Sequence, residues 1–185
     1  MRMLRLLFAL LVSLTLVACS HTSRPATYLV EQTGPYRLDS GDLVRVTVYG
    51  DANLTNSYRV DDAGAIALPL VGAIPARGAT TEVVGGRITT ALANGFMRNP
   101  NVAVEVAEYR PFFIQGAVGS PGALSYVYGM TVRAAISAAG GFTDVANRNS
   151  AVIYRRQGDD MVRGSVGLDF PILPGDTIVV SERWL

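Results

Sequence analysis

The sequence predicts an α+β fold made of two small sheet-plus-helix modules. Three observations carry this prediction. Valine-rich stretches alternate apolar and polar residues with the period of a half-buried strand. Two segments that open on a threonine carry apolar residues at helical spacing. Clusters of Gly, Asp and Pro punctuate the chain between them. With 185 residues the chain is long enough for one domain or two small ones, and 49% hydrophobic against 17% charged residues can bury a core.

The first module spans residues 35–108. Asp39-Ser40-Gly41-Asp42 is turn chemistry. Leu43, Val44, Val46 and Val48 then alternate with Arg45 and Thr47, which predicts a strand with one covered face. Residues 57–61 read as a second strand, and Asp61-Asp62-Ala63-Gly64 as a tight hairpin turn. Residues 65–71 run back as a third strand, with Pro69 marking an edge or a bend. Residues 80–96 read as a helix. Thr80 or Thr81 caps it, Glu82 complements the dipole, and Val84, Ile88, Leu92 and Phe96 form its apolar stripe. Gly85 and Gly86 weaken this helix but allow another backbone to approach closely. Asn99-Pro100 ends the segment, and residues 101–105 alternate as a return strand.

The second module spans residues 109–185. Residues 112–118 read as a strand, Gly119-Ser120-Pro121-Gly122 as a turn, and residues 123–128 as a strand that pairs back or continues the layer. Thr131 caps a helix that runs through Ala139 and stops at Gly140-Gly141. Residues 151–155 and 161–166 flank the turn 157–160. Pro174-Gly175-Asp176 is a turn before the last strand, residues 177–180. A small sheet wrapped on one helix fits this order. The pairs Gly41-Asp42 and Gly175-Asp176 form a weak internal echo, each introducing a valine-rich strand.

Composition removes several kinds of chemistry. The chain has no lysine, which excludes a lysine-bearing phosphate loop. Its net charge is +1, and without the leader it carries 14 basic against 15 acidic residues, so it has no electrostatic footprint for nucleic acid. One cysteine and one histidine exclude a disulfide framework and a Cys or His metal cluster. No His-backed nucleophile can be assembled from the folded body, because His21 lies in a polar stretch near the start. Asp61 with Asp62, and Asp159 with Asp160, are adjacent carboxylates of a kind a glycosidase uses, but both pairs fall in predicted turns where Asp serves the backbone. No catalytic, cofactor or metal site is therefore expected. Tyr109, Tyr126, Tyr128 and Tyr154 could stack on sugar rings or pack within strands; Tyr126 and Tyr128 are the candidate saccharide contacts.

The N-terminus reads as an address. Arg2 and Arg5 precede an uncharged, mostly apolar run of 12 residues, Leu6 to Val17, too short to span a membrane and suited to a secretory signal. It ends in Leu16-Val17-Ala18-Cys19, which resembles the lipobox of bacterial lipoproteins. The resemblance implies cleavage before Cys19, so residues 1–18 are signal peptide, and lipidation of Cys19; several acyl chains together anchor stably. An ordinary signal peptide with a chance cysteine is the alternative. Ser20 in place of an aspartate favours the outer membrane. Residues 19–34 are a lipidated tether.

The stretch from Tyr36 to Gly78 resembles the export domain of outer-membrane polysaccharide export lipoproteins. The features that match are Tyr36, Arg37, Leu38, Gly41, Asp42, Val60, Asp61, Gly64, Ile66, Pro69 and Gly72, followed by Thr80, Asn99 and Pro100. Residues 110–156 resemble that family's soluble-ligand-binding β-grasp module, through Arg110, Pro111, Gly116, Val118, Pro121, Gly122, Thr131, Ala139, Gly140 and Gly141, with Pro174-Gly175-Asp176 beyond them. The resemblance covers roughly 150 residues. It implies a periplasm-facing, non-enzymatic conduit for capsular or secreted polysaccharide. The conduit would be a homo-oligomer, with Gly85 and Gly86 at a subunit contact. It would work with an inner-membrane chain-length or tyrosine-kinase component. Capsule exporters of this family carry further β-grasp repeats and a C-terminal membrane-crossing helix, whereas this sequence shows one such module. A separate outer-membrane β-barrel is therefore expected to supply the crossing, with Trp184 packed on its own domain or touching that partner or the membrane. A lipid-tethered saccharide- or protein-binding module without a pore is the second reading.

Overall fold

The computed structural model describes residues 34–158 and 160–183. Cys19, His21, Asp159 and Trp184 lie outside the described residues. The remainder is α+β, with two apolar cores that share no side chain, one drawn from residues 38–92 and one from residues 112–180.

In the first module β1 (Leu43–Val48) is the centre of an antiparallel sheet, between β2 (Asn56–Arg59) and β5 (Val102–Glu108). The alternation acts as expected: Val44, Val46 and Val48 are buried while Arg45 faces solvent. Helix α1 (Thr81–Ala93) covers the sheet through Val84, Ile88 and Leu92, all fully buried. Thr80 is its cap, accepting a hydrogen bond from the Val83 amide.

Three expectations need correction here. The strand read over residues 65–71 is two strands, β3 (Ala65–Leu68) and β4 (Gly72–Pro75), in an antiparallel hairpin. Pro69 lacks an amide for the ladder, and Leu70 adopts a φ of 72°, so the chain reverses where alternation alone suggested it ran on. The helix stops at Ala93, and Phe96 is 50% exposed instead of completing the stripe. Gly95, at a φ of 96°, turns the chain out of the helix before Phe96 is reached. The return strand is longer than residues 101–105, running to Glu108.

In the second module the strand order is β7-β6-β10-β8-β9. β6 (Phe112–Gly116) and β7 (Gly122–Leu124) form one hairpin, and β8 (Ser150–Gln157) and β9 (Asp160–Gly167) another. The last strand, β10 (Thr177–Val180), enters between them, parallel to β6 and antiparallel to β8. Helix α2 (Val132–Ala138) is capped by Thr131 and buries Val132, Ala135 and Ile136 in the same core. This is the β-grasp-like arrangement expected. β6 ends at Gly116, short of Val118, and β7 replaces the strand read over residues 123–128.

Candidate functional site

The internal echo noticed in the sequence is a structural repeat. Asp39-Ser40-Gly41-Asp42 and Leu173-Pro174-Gly175-Asp176 are the same turn. In each, the aspartate amide donates to the carbonyl three residues back, at 3.1 Å in both. The aspartate Oδ2 accepts the amide of that same residue, Asp39 at 2.9 Å and Leu173 at 2.8 Å. Gly41 and Gly175 sit at φ 97° and 84°, conformations that a side chain strains, and Pro174 occupies the position its fixed φ suits. Each turn delivers a buried carboxylate to the head of a strand, with Asp42 and Asp176 fully enclosed.

A buried carboxylate requires a cation, and the two turns obtain theirs differently. Asp176 faces Arg155 of β8, whose Nε and Nη2 donate to it at 2.9 and 2.7 Å. Arg155 is itself only 4% exposed and also donates to the Pro171 carbonyl. Asp42 receives the Arg110 amide at 3.0 Å and its guanidinium at 3.3 Å, across 68 positions of sequence. The Tyr36 hydroxyl donates to Asp42 at 2.6 Å and accepts from Arg110 at 2.9 Å.

Arg110 stands between the modules. A Cβ built on Gly41 would lie 3.5 Å from its Cβ, and one built on Gly175 would lie 3.0 Å from its Nε. The Gly175 amide also donates to the Pro111 carbonyl. Both turns thus grip the segment joining the modules. Tyr36, Tyr109 and Tyr126 extend the grip as successive edge-to-face pairs, 4.9 and 5.3 Å between centroids. Burial raises the pKa of all three phenols, and the hydrogen bond to Asp42 raises that of Tyr36 further.

Beside this junction opens a cleft of about 740 Å³. Its charged lining is Arg37, Arg77, Arg110, Arg155 and Arg156 against Asp39 and Asp176. Arg77 bridges Asp39 at 3.1 Å, reaches the Ser40 hydroxyl and donates to the Asp62 carbonyl. Arg37 donates to the Gly78 carbonyl at 2.8 Å.

The candidate residues from sequence differ in exposure. Tyr126 is 7% exposed and packs its ring in the core, so it offers no face to a sugar; Tyr128 is 65% exposed. Gly85 is turned inward, where an added Cβ would touch Val104 and Val102 of β5 at 3.6 and 3.7 Å. Its close approach is therefore to its own sheet. Gly86 faces outward with open space around it. Asp61 accepts the Ala65 amide in its hairpin, as turn chemistry requires. What the sequence reading missed is the role of Arg110 and Arg155. One signal existed: Arg155 follows Ala151 and Ile153 at the inward positions of β8, and an inward arginine implies a buried anion.

Comparison with known proteins gives this arrangement a context. Residues 30–107 match the polysaccharide biosynthesis/export protein family. Residues 111–164 match the SLBB domain. The chain is therefore similar to polysaccharide export proteins in both of its modules. Relatives include the exopolysaccharide production protein ExoF of Rhizobium meliloti (strain 1021), 35% identical over 96 residues, or 51% of this chain and 23% of that one. The EPS I polysaccharide export outer membrane protein EpsA of Ralstonia nicotianae is 27% identical over 201 residues, covering 90% of this chain and 52% of its own. The polysialic acid transport protein KpsD of Escherichia coli is 24% identical over 159 residues, covering 80% and 28%. The chain spans about half or less of the length of these relatives. These relatives are named for exopolysaccharide production, polysaccharide export and polysialic acid transport.

Proposed function

We propose that this protein is a non-enzymatic component of a polysaccharide export machine, anchored by lipid on Cys19 to the periplasmic face of the outer membrane. Copies assemble side by side into a conduit for capsular or secreted polysaccharide. An outer-membrane β-barrel carries the polymer across the bilayer, and an inner-membrane chain-length or tyrosine-kinase component delivers it. The observation that supports this reading best is the succession of an export domain and an SLBB domain, held together by Arg110 between two Gly-Asp turns. A conduit needs such a joint, since modules that swing freely cannot keep a lumen aligned.

Deleting the gene tests the reading: surface glycan is expected to fall and polymer to accumulate inside the cell. Normal surface glycan without a backlog overturns it. Cys19→Ser is expected to abolish acyl labelling and release the protein from the membrane fraction. On α1, Gly86 remains the candidate subunit contact. Gly86→Ala is expected to raise monomer stability by about 0.5–1 kcal/mol through helix propensity while reducing the oligomer seen in native mass measurements. An unchanged oligomer removes Gly86 from the interface.

A further inference from the structure

From the charge and the floor of the inter-module cleft we infer that it is a contact site for acidic glycan, that is, for sugar units bearing carboxylate. This inference rests on the export reading and adds the chemical class of the polymer. Five arginines line the cleft against two aspartates. With Asp42 counted, buried behind Arg110, cations still exceed anions by five to three. Three of the five arginines are held in place before any ligand arrives. The Gly78 carbonyl fixes Arg37, the Asp62 carbonyl fixes Arg77, and Tyr36 with Asp42 fixes Arg110. A guanidinium has five donors, and Arg37 uses one of them in hydrogen bonds to described residues. Arg156 is exposed and makes no ion pair or hydrogen bond with another described residue through its side chain.

The floor supplies a second, independent observation. Arg155 is buried, and its Nη1 has no hydrogen-bond partner among the described residues. Asp176 already balances the Arg155 charge, so what the floor keeps is a guanidinium donor without an acceptor. The cleft also lacks what a peptide would seek: none of the exposed large hydrophobic side chains lines it. A hydrophilic anion suits it, and its volume lies within the roughly 300–1,000 Å³ range of ligand sites.

The test titrates the full-length lipoprotein in detergent with an oligogalacturonate and with a neutral glucose oligosaccharide of equal length. The acidic oligomer is expected to bind, more weakly as salt rises, and the neutral one not to bind. The double substitution Arg37→Ser and Arg156→Ser removes two exposed cations, so it is expected to leave the thermal midpoint in place and weaken acid binding about tenfold. Several outcomes overturn the inference: no acid binding, equal binding of both sugars, no effect of the double substitution, or tighter binding of a polyglutamate of matched charge. Failure here is separable from failure of the export reading. If gene deletion still blocks surface glycan, export stands without the cleft; if deletion changes nothing, export falls whatever the cleft binds.

Discussion

The two Gly-Asp turns share a backbone and differ in their arginine. At Asp176 the cation comes from a neighbouring strand of the same sheet, with the pair sealed inside one module. At Asp42 it comes from the segment that joins the modules, and the Arg110 side chain is 23% exposed. One local device therefore does two jobs: both turns hold the joining segment, but the Asp176 pair closes a core while the Asp42 pair ties one module to the next. Solvent decides the difference in strength. A buried pair that loses one partner leaves an uncompensated charge, whereas water partly replaces a lost partner at an accessible pair.

Asp176→Asn is expected to have the largest effect. It strands Arg155 in the core and should cost about 3–5 kcal/mol, read as a shift of the denaturant midpoint. A loss below about 1 kcal/mol would mean that Arg155 finds water, and that the two turns are energetically alike. Asp42→Asn removes the carboxylate from a partly solvated arginine and should cost about 1–3 kcal/mol. Its diagnostic is local: limited proteolysis at residues 109–111 should accelerate, while Asp176→Asn should instead expose the second module. Equal cleavage at the joint in both variants would erase the distinction between a tie and a core pair.

Tyr36→Phe should cost least, about 1 kcal/mol, from one lost hydroxyl in the Asp42–Arg110 group. It also sharpens the comparison through pH. Burial, reinforced by Asp42, raises the Tyr36 pKa above its usual 10.0. The unfolded chain therefore releases this proton first as pH rises. Stability is intact below about pH 10 and falls above it. Replacing Tyr36 should flatten that alkaline fall in urea melts, leaving the part due to Tyr58, Tyr109 and Tyr126, whose values burial also raises. An unchanged slope would remove Tyr36 from the group.

Much of this was written in local pattern. The alternation of β1, the threonine caps at Thr80 and Thr131, and the buried Val84, Ile88 and Leu92 follow from periods of two and 3.6, which depend only on near neighbours. The Gly-Asp turns were visible for the same reason, since glycine at positive φ is a local demand. The hairpin β3–β4 was obscured because an apolar run with a proline inside does not reveal whether it bends or reverses. Gly85 and Tyr126 misled because a small residue and an aromatic ring suit an interior as well as an interface.

By itself the sequence determined the α+β class, the order of most elements and the two aspartate turns, because each is set within a few residues of chain. Tertiary structure alone decided which arginine each aspartate receives, the central insertion of β10, and the cationic cleft at the joint. Those depend on charges and strands far apart in sequence, brought together only when burying apolar surface closes the modules and leaves each enclosed carboxylate in need of a cation.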